Sequence, residues 1–276
     1  MVRKASQSKS SSSMLSKAMD VSKANQAISA LLYGRSGTGK TTLSGTFPGP
    51  LLVLDIGERG TGSISDVKGA KVLKINEWKD FEDVYFELKK GGHSFESVSV
   101  DSLHALQALA INHVKKQAKK SDDDQTSQRD FGQAGALMQQ WIRNYRDLVD
   151  DDMNIVFLAH DRVHEYEGED DEMITPEVGP RLMPAVASCA VGSVNVVGYT
   201  MIKQTVSEKK KLGQKAESKI EYCLRIGPHP LYTTKIRTDK NNHTPEFIVD
   251  PTYDKLVSVI KGEEKKVSSR RKLNRK

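Results

Sequence analysis

Cysteine is nearly missing from this sequence: Cys189 and Cys223 are the only two, and no Cys-x-x-Cys pair occurs. That excludes a disulfide framework and a thiolate zinc site, and it points to a reducing compartment. Long apolar runs are missing as well. None approaches the ~20 residues a helix needs to span a bilayer. The first residues lack the apolar centre of a signal peptide. Aromatic residues are few, 6% of the chain against 37% hydrophobic overall, so 276 residues supply one sizeable core and not clearly two. A cytoplasmic protein with no membrane partner is the expectation.

Charge is present in quantity and unevenly placed. Residues 1–23 carry a net +4 and residues 261–276 a net +6; the whole chain is +6, so residues 24–260 are left at −4. The first tail is serine-rich and the last is "KGEEKKVSSRRKLNRK"; both compositions predict disorder. Basic tails of this kind attract nucleic acid, or serve solubility alone.

Between the tails, apolar strands alternate with helical patterns. "AISALLYG", "PLLVLDI", "AKVLKI", "SFESVSVDS" and "MNIVFLAH" read as strands. "EWKDFEDVYFELKKGG", "LHALQALAINHVKKQAKK" and "QAGALMQQWIRNYRDLVDD" carry apolar residues at helical spacing. "DRVHEYEGEDDEMITPEVGP" reads as a long acidic loop and "RLMPAVASCA" as a helix. "VNVVGYTMIK", "SKIEYCLRIG" and "LYTTKIRTD" read as later strands, and "PTYDKLVSVIKG" as a closing helix. The predicted class is α/β: a mostly parallel sheet flanked by helices, with antiparallel strands near the C-terminus.

The segment Gly34-Arg-Ser-Gly-Thr-Gly-Lys-Thr41 fits G-x-x-x-x-G-K-[ST] at every required position, behind an apolar strand. Glycines let backbone N–H groups turn inward around phosphate oxygens. The binding loop is then Gly34, Arg35, Ser36, Gly37, Thr38, Gly39, Lys40, Thr41 and Thr42, with Lys40 reaching the β- and γ-phosphates of ATP and Thr41 ligating Mg²⁺. The start of the following helix adds its positive end. A metal-site carboxylate is expected at the end of a nearby strand, and "SVSVDS" supplies Asp101, a role compatible with its capping the next helix. Glu58, just past "LLVLD", is the choice for polarising the attacking water, with Asp55 and Glu96 as competitors.

These residues, in this order, resemble the RecA-like core ATPases encoded by bacteriophages, the Sak-type proteins grouped with single-strand-annealing recombination. The likeness spans "YGRSGTGKTTLSGTFPGPLLVLD", "SVSVDSLHAL", "NIVFLAH", "TPEVGPRL" with "VNVVGYT", and "LYTTKIRTD". It implies a RecA-like ATPase domain over residues 24–260 that hydrolyses ATP with Mg²⁺. It also implies single-stranded DNA as partner and a homo-oligomer with ATP sites between subunits, and leaves open whether a single-strand-binding protein is needed as helper. His160, ending "VFLAH", stands where such ATPases place a γ-phosphate sensor. Lys235 and Arg237 stand where a late strand reaches the neighbour's nucleotide. One departure is plain: the family's acidic residue falls two positions after the strand aspartate, where this chain has Gly57, with Glu58 one later.

The family's DNA loops correspond to about residues 121–132 and 161–180, and both hold acidic clusters that repel phosphate. The lysine-rich stretch 203–219 and the two tails are the basic alternatives. Removing residues 1–23 and 261–276 is therefore expected to weaken single-stranded DNA binding and flatten its salt dependence while leaving basal ATP hydrolysis intact. An unchanged salt slope in a binding titration of the truncated protein would place the contact surface on the core.

Overall fold

Four central strands, Ser29–Tyr33, Leu51–Asp55, Ser97–Asp101 and Asn154–Ala159, are buried at every position, because both faces of the sheet are covered there. In chain order the elements begin with β1 (Ser29–Tyr33), α1 (Lys40–Ser44), β2 (Leu51–Asp55), β3 (Lys71–Lys74) and α2 (Trp78–Lys90). Next come β4 (Ser97–Asp101), α3 (Leu103–Gln117), α4 (Gln128–Arg146), β5 (Asn154–Ala159), β6 (Asp161–His164) and β7 (Glu177–Pro180). The last are α5 (Pro184–Ser193), β8 (Val196–Val206), β9 (Ser218–Arg225), β10 (Lys235–Ile236), β11 (Phe247–Val249) and α6 (Tyr253–Lys261). This computed structural model describes residues 27–121, 123–164, 176–206, 218–238 and 244–263. The tail 1–23, most of the closing tail, and much of the acidic and lysine-rich stretches lie outside the described residues.

The main sheet runs β11-β9-β8-β1-β5-β4-β2-β3, with β10 pairing the start of β8. From β8 through β3 every pairing is parallel; β9, β10 and β11 are antiparallel additions. The predicted α/β class with late antiparallel strands is the observed one.

Alternation along each central strand divides the core in two. Leu31 and Tyr33 of β1, with Ile155, Phe157 and Ala159 of β5, join the large cluster under α2, α3, α4 and α5. Ala30 and Leu32, with Val156 and Leu158, join the cluster that includes Leu43, Phe47, Leu256 and Val259 from the other face. Local signals start and stop the helices. α2 and α4 each open with a capping box, Glu77 with Asp80 and Ser127 with Asp130. In α6, the Thr252 hydroxyl accepts the Lys255 N–H at 3.3 Å.

Two sequence expectations differ from the structure. The "DRVH…EVGP" stretch is not loop throughout: its ends pair as an antiparallel ribbon, Asp161 opposite Pro180. "LYTTKIRTD" is strand only at Lys235–Ile236. The start of that segment is held elsewhere: the Thr233 N–H donates to the Val178 carbonyl at 3.0 Å and the Tyr33 hydroxyl to the Thr233 carbonyl at 2.9 Å. No helix among the described residues is long and apolar enough to cross a membrane.

Trp78, 1% exposed, ties the helical layer together, its ring lying 5.7 Å from Phe81, 6.2 Å from His113 and 6.4 Å from Trp141. Trp78→Ala is expected to destabilise the fold by about 3–5 kcal/mol, the usual cost of truncating a buried aromatic side chain, read as a lower urea midpoint in equilibrium unfolding.

Candidate functional site

The parallel strands end together, and the loops leaving them form one cavity. It measures about 740 Å³ and is lined by residues 36–43 of the glycine loop, by Glu58, Gly60, Asp101, Ser102 and His160, and on the far side by Tyr222, Asp250, Pro251 and Thr252. That volume lies within the roughly 300–1,000 Å³ of small-ligand sites.

The loop after β1 needs its glycines. Gly34 packs so closely on β8 that a Cβ would lie 2.4 Å from the Thr200 hydroxyl and 2.5 Å from its carbonyl. Gly39 has φ 88°, a conformation that side chains disfavour, and it turns the chain into α1. The Thr38 hydroxyl lies 2.7 Å from that of Thr200, which pins the loop to the sheet. α1 has only five residues, so loop N–H groups rather than a long helix dipole carry the attraction for phosphate.

Lys40 is folded onto the loop, its Nζ donating to the Gly34 and Arg35 carbonyls at 2.8 Å each. Burial pushes its ammonium below the ordinary lysine range, while Asp101, Asp161 and Glu58 pull it back up. The Thr41 hydroxyl donates to Asp101 Oδ2 at 2.9 Å. Asp101 is 5% exposed, and burial raises its pKa; Glu58 and Asp55 add to that, against the Thr41 hydrogen bond and Lys40.

Glu58 sits in a network. Burial works to raise its pKa, but hydrogen bonds from Ser102 and His160 and the field of His104 outweigh it, and the net shift is downward. The Ser102 hydroxyl donates to its Oε1 at 2.9 Å, His104 Nε2 lies 3.0 Å from the same oxygen, and His160 Nε2 lies 3.4 Å from Oε2. Burial lowers the His104 pKa and the carboxylate of Glu58 opposes it.

The expected residues therefore fall into two groups. The glycine loop, Lys40, Thr41, Asp101, Glu58 and His160 are brought together. The two competitors of Glu58 are not in the cavity. Asp55 accepts the Arg59 N–H at 3.1 Å. Glu96 precedes β4 at the end away from Asp101, about 16 Å off at ~3.3 Å per strand residue. Lys235 and Arg237 are also remote: Lys235 pairs with Val197 near the start of β8, and its Nζ caps α5 at the Val191 and Gly192 carbonyls, 2.8 and 2.9 Å away. Burial, and then Arg237, lower its pKa. His104 and the Tyr222–Thr252 wall escaped the sequence reading. His104 carried one signal, its place in the first turn of the helix after Asp101.

An Mg²⁺–nucleotide fits this donor set: a glycine-rich loop lining the cavity, a lysine folded onto it, and a hydroxyl already facing a buried carboxylate. Without a cation, Asp101 is a burden on the fold. Its raised pKa means the folded state holds the proton more tightly, so stability falls as pH rises from the unfolded carboxylate range through the folded value. Asp101→Asn is therefore expected to raise the nucleotide-free melting temperature at neutral pH, with the gap shrinking as pH drops towards 4, and to abolish Mg²⁺-dependent nucleotide binding. Thermal melts across pH and nucleotide titrations with and without Mg²⁺ check both; a variant less stable than wild type at neutral pH would contradict it.

None of the curated proteins matches the chain. Among solved structures, one that is similar is a KaiC-like protein from the hyperthermophilic archaeon Pyrococcus horikoshii OT3, at 10% identity over 81% of this chain and 89% of that one, with a TM-score of 0.40. The AAA domain family model matches residues 26–238, from the approach to β1 to just beyond β10. The chain belongs to the AAA domain family of P-loop ATPases.

Proposed function

We propose that the protein hydrolyses ATP in this cavity and uses the cycle to bind and release single-stranded DNA, as a phage-type recombination protein acting in the bacterial cytoplasm. The observation that carries the ATPase part is the pairing of Thr41 with Asp101 at 2.9 Å, beside Lys40 and across from Glu58. Loop N–H groups and Lys40 hold the β- and γ-phosphates, and Thr41 and Asp101 hold Mg²⁺. The cation, when bound, neutralises phosphate charge as it builds on the oxygens. Glu58 is ionised at neutral pH, faces the cavity and takes a proton from the attacking water. His160 touches Glu58 and directly follows the strand beside β1, which supports reading it as the group that moves when the terminal phosphate leaves.

The DNA part rests on the charge of the tails and on the phage-family resemblance, and assembly rests on Lys235 and Arg237. Within one chain this pair lies at the far end of the sheet from the glycine loop, so only a neighbour's nucleotide could meet it. A DNA-independent switch acting on a protein partner is the second reading, favoured by the −4 charge of residues 24–260.

Glu58→Gln is expected to retain ATP binding and lose hydrolysis about 10²–10⁴-fold, the range for a general base. Wild-type turnover should rise with single-stranded DNA, and DNA affinity should rise with ATP. Turnover indifferent to DNA would sink the recombination reading and leave the switch. Mixing Lys40→Ala with a Lys235→Ala/Arg237→Ala protein should restore some activity; no rescue would remove the shared-site assembly.

A further inference from the structure

The hydrogen-bond network around Glu58 has a second possible occupant besides protons. Glu58, His104 and His160 each offer one ligand atom, and the three atoms lie within 4.8 Å of one another. Glu58 Oε1 is 3.0 Å from His104 Nε2 and Oε2 is 3.4 Å from His160 Nε2. Around a tetrahedral ion with bonds of about 2.0–2.2 Å, neighbouring ligand atoms stand about 3.3–3.6 Å apart. Small side-chain adjustments would close the set.

The three residues come from separate, well-anchored places: the loop after β2, the first turn of α3 and the end of β5. Their orientation is supported from behind. Ser102 Oγ lies 2.7 Å from Nδ1 of His104, which leaves Nε2 turned to Glu58, the arrangement in which an outer partner fixes a ligating ring. The two imidazoles meet edge to face at 4.5 Å and 71°, so they crowd one point rather than stack. Their side chains are 24% exposed and that of Glu58 25%, which leaves an entry path and room for water as a fourth ligand. Ligand type separates this site from its neighbour. Mg²⁺ prefers oxygen and has Thr41 and Asp101, whereas two imidazoles and one carboxylate select Zn²⁺ and similar ions.

We propose that Glu58, His104 and His160 bind one divalent transition-metal ion of the Zn²⁺ class, and that its binding stops ATP hydrolysis by occupying the Glu58 carboxylate. The binding half stands on the geometry above; the inhibitory half rests on the assignment of Glu58 as base.

Co²⁺ is the probe, added to the full-length, nucleotide-free protein with Mg²⁺ in excess. One equivalent is expected to give the visible absorption of a low-coordinate cobalt centre, displaced by Zn²⁺. His104→Asn and His160→Asn should each weaken Co²⁺ binding at least ~10-fold, while Thr41→Ala should keep the spectrum. Circular dichroism establishes that each variant is folded. Absence of the spectrum in the wild-type protein, or its persistence in the folded double histidine variant, overturns the site. In turnover assays with Mg²⁺ in excess, stoichiometric Zn²⁺ should suppress hydrolysis and a Zn²⁺ chelator should restore it. Full activity of the Zn²⁺-loaded protein overturns the brake. If Co²⁺ binds as expected while Glu58→Gln hydrolyses ATP normally, the metal site stands and the base assignment alone falls.

Discussion

The parallel register of β1, β5, β4 and β2 is the constraint on which the rest depends. Tyr33 stands beside Ala159, Asp101 beside Leu158, and Asp55 beside Asp101, so the strands finish at nearly one level. Whatever follows each strand is then delivered to the same place: the glycine loop after β1, Glu58 after β2, Ser102 and His104 after β4, and His160 after β5. Parallel strands need crossover connections, and the crossover helices bury both faces of the sheet. The apolar strands and the polar rim are therefore consequences of one arrangement, with ligands expected outside the carboxyl ends.

That convergence has an electrostatic cost. Asp101, Asp161 and Glu58 all act on the single ammonium of Lys40, and burial works against the charge on Lys40 and Asp101 alike. Partial relief comes from local hydrogen bonds: Thr41 to Asp101, Ser102 to Glu58, and Lys40 to two loop carbonyls. Each of these donors is also a group that a phosphate or a cation would engage. The cavity thus holds its polar groups in substitute partnerships that a nucleotide can exchange, a form of preorganisation that limits reordering on binding.

The edge of the sheet follows a different logic. β9 and β11 run antiparallel beyond β8 and carry the chain back over the glycine loop, so that Tyr222 of β9 comes close to Gly39 and, with Asp250 and Thr252 after β11, walls the cavity. β10 occupies the stretch of the same edge that β9 leaves at the start of β8. Lys235 there serves the carbonyl end of α5 within the chain. Its cap and its proposed reach to a neighbour are alternatives for one ammonium, and assembly would have to outweigh two hydrogen bonds.

Local chemistry was enough to read much of this protein from its residues. Gly34 to Thr41 could be recognised because backbone phosphate binding demands glycine and lysine at fixed spacing. Apolar runs such as "ALLY" and "LLVL" announced a sheet covered on both faces, and Asp101 was legible as a carboxylate ending the strand "SVSVD". What separates Glu58 from Asp55 and Glu96 is not local. Asp55 and Glu58 share the carboxyl end of β2, and they part by their partners: Asp55 takes the Arg59 N–H, Glu58 meets Ser102, His104 and His160, and Glu96 lies at the opposite end of β4. The same holds for His104, a single histidine in a helical pattern until α3 carries it against Glu58 and His160 from two other segments. Sequence periodicity reports which face of an element is apolar; it is silent on which polar ends meet, because those meetings join residues tens of positions apart and are decided by strand order and packing.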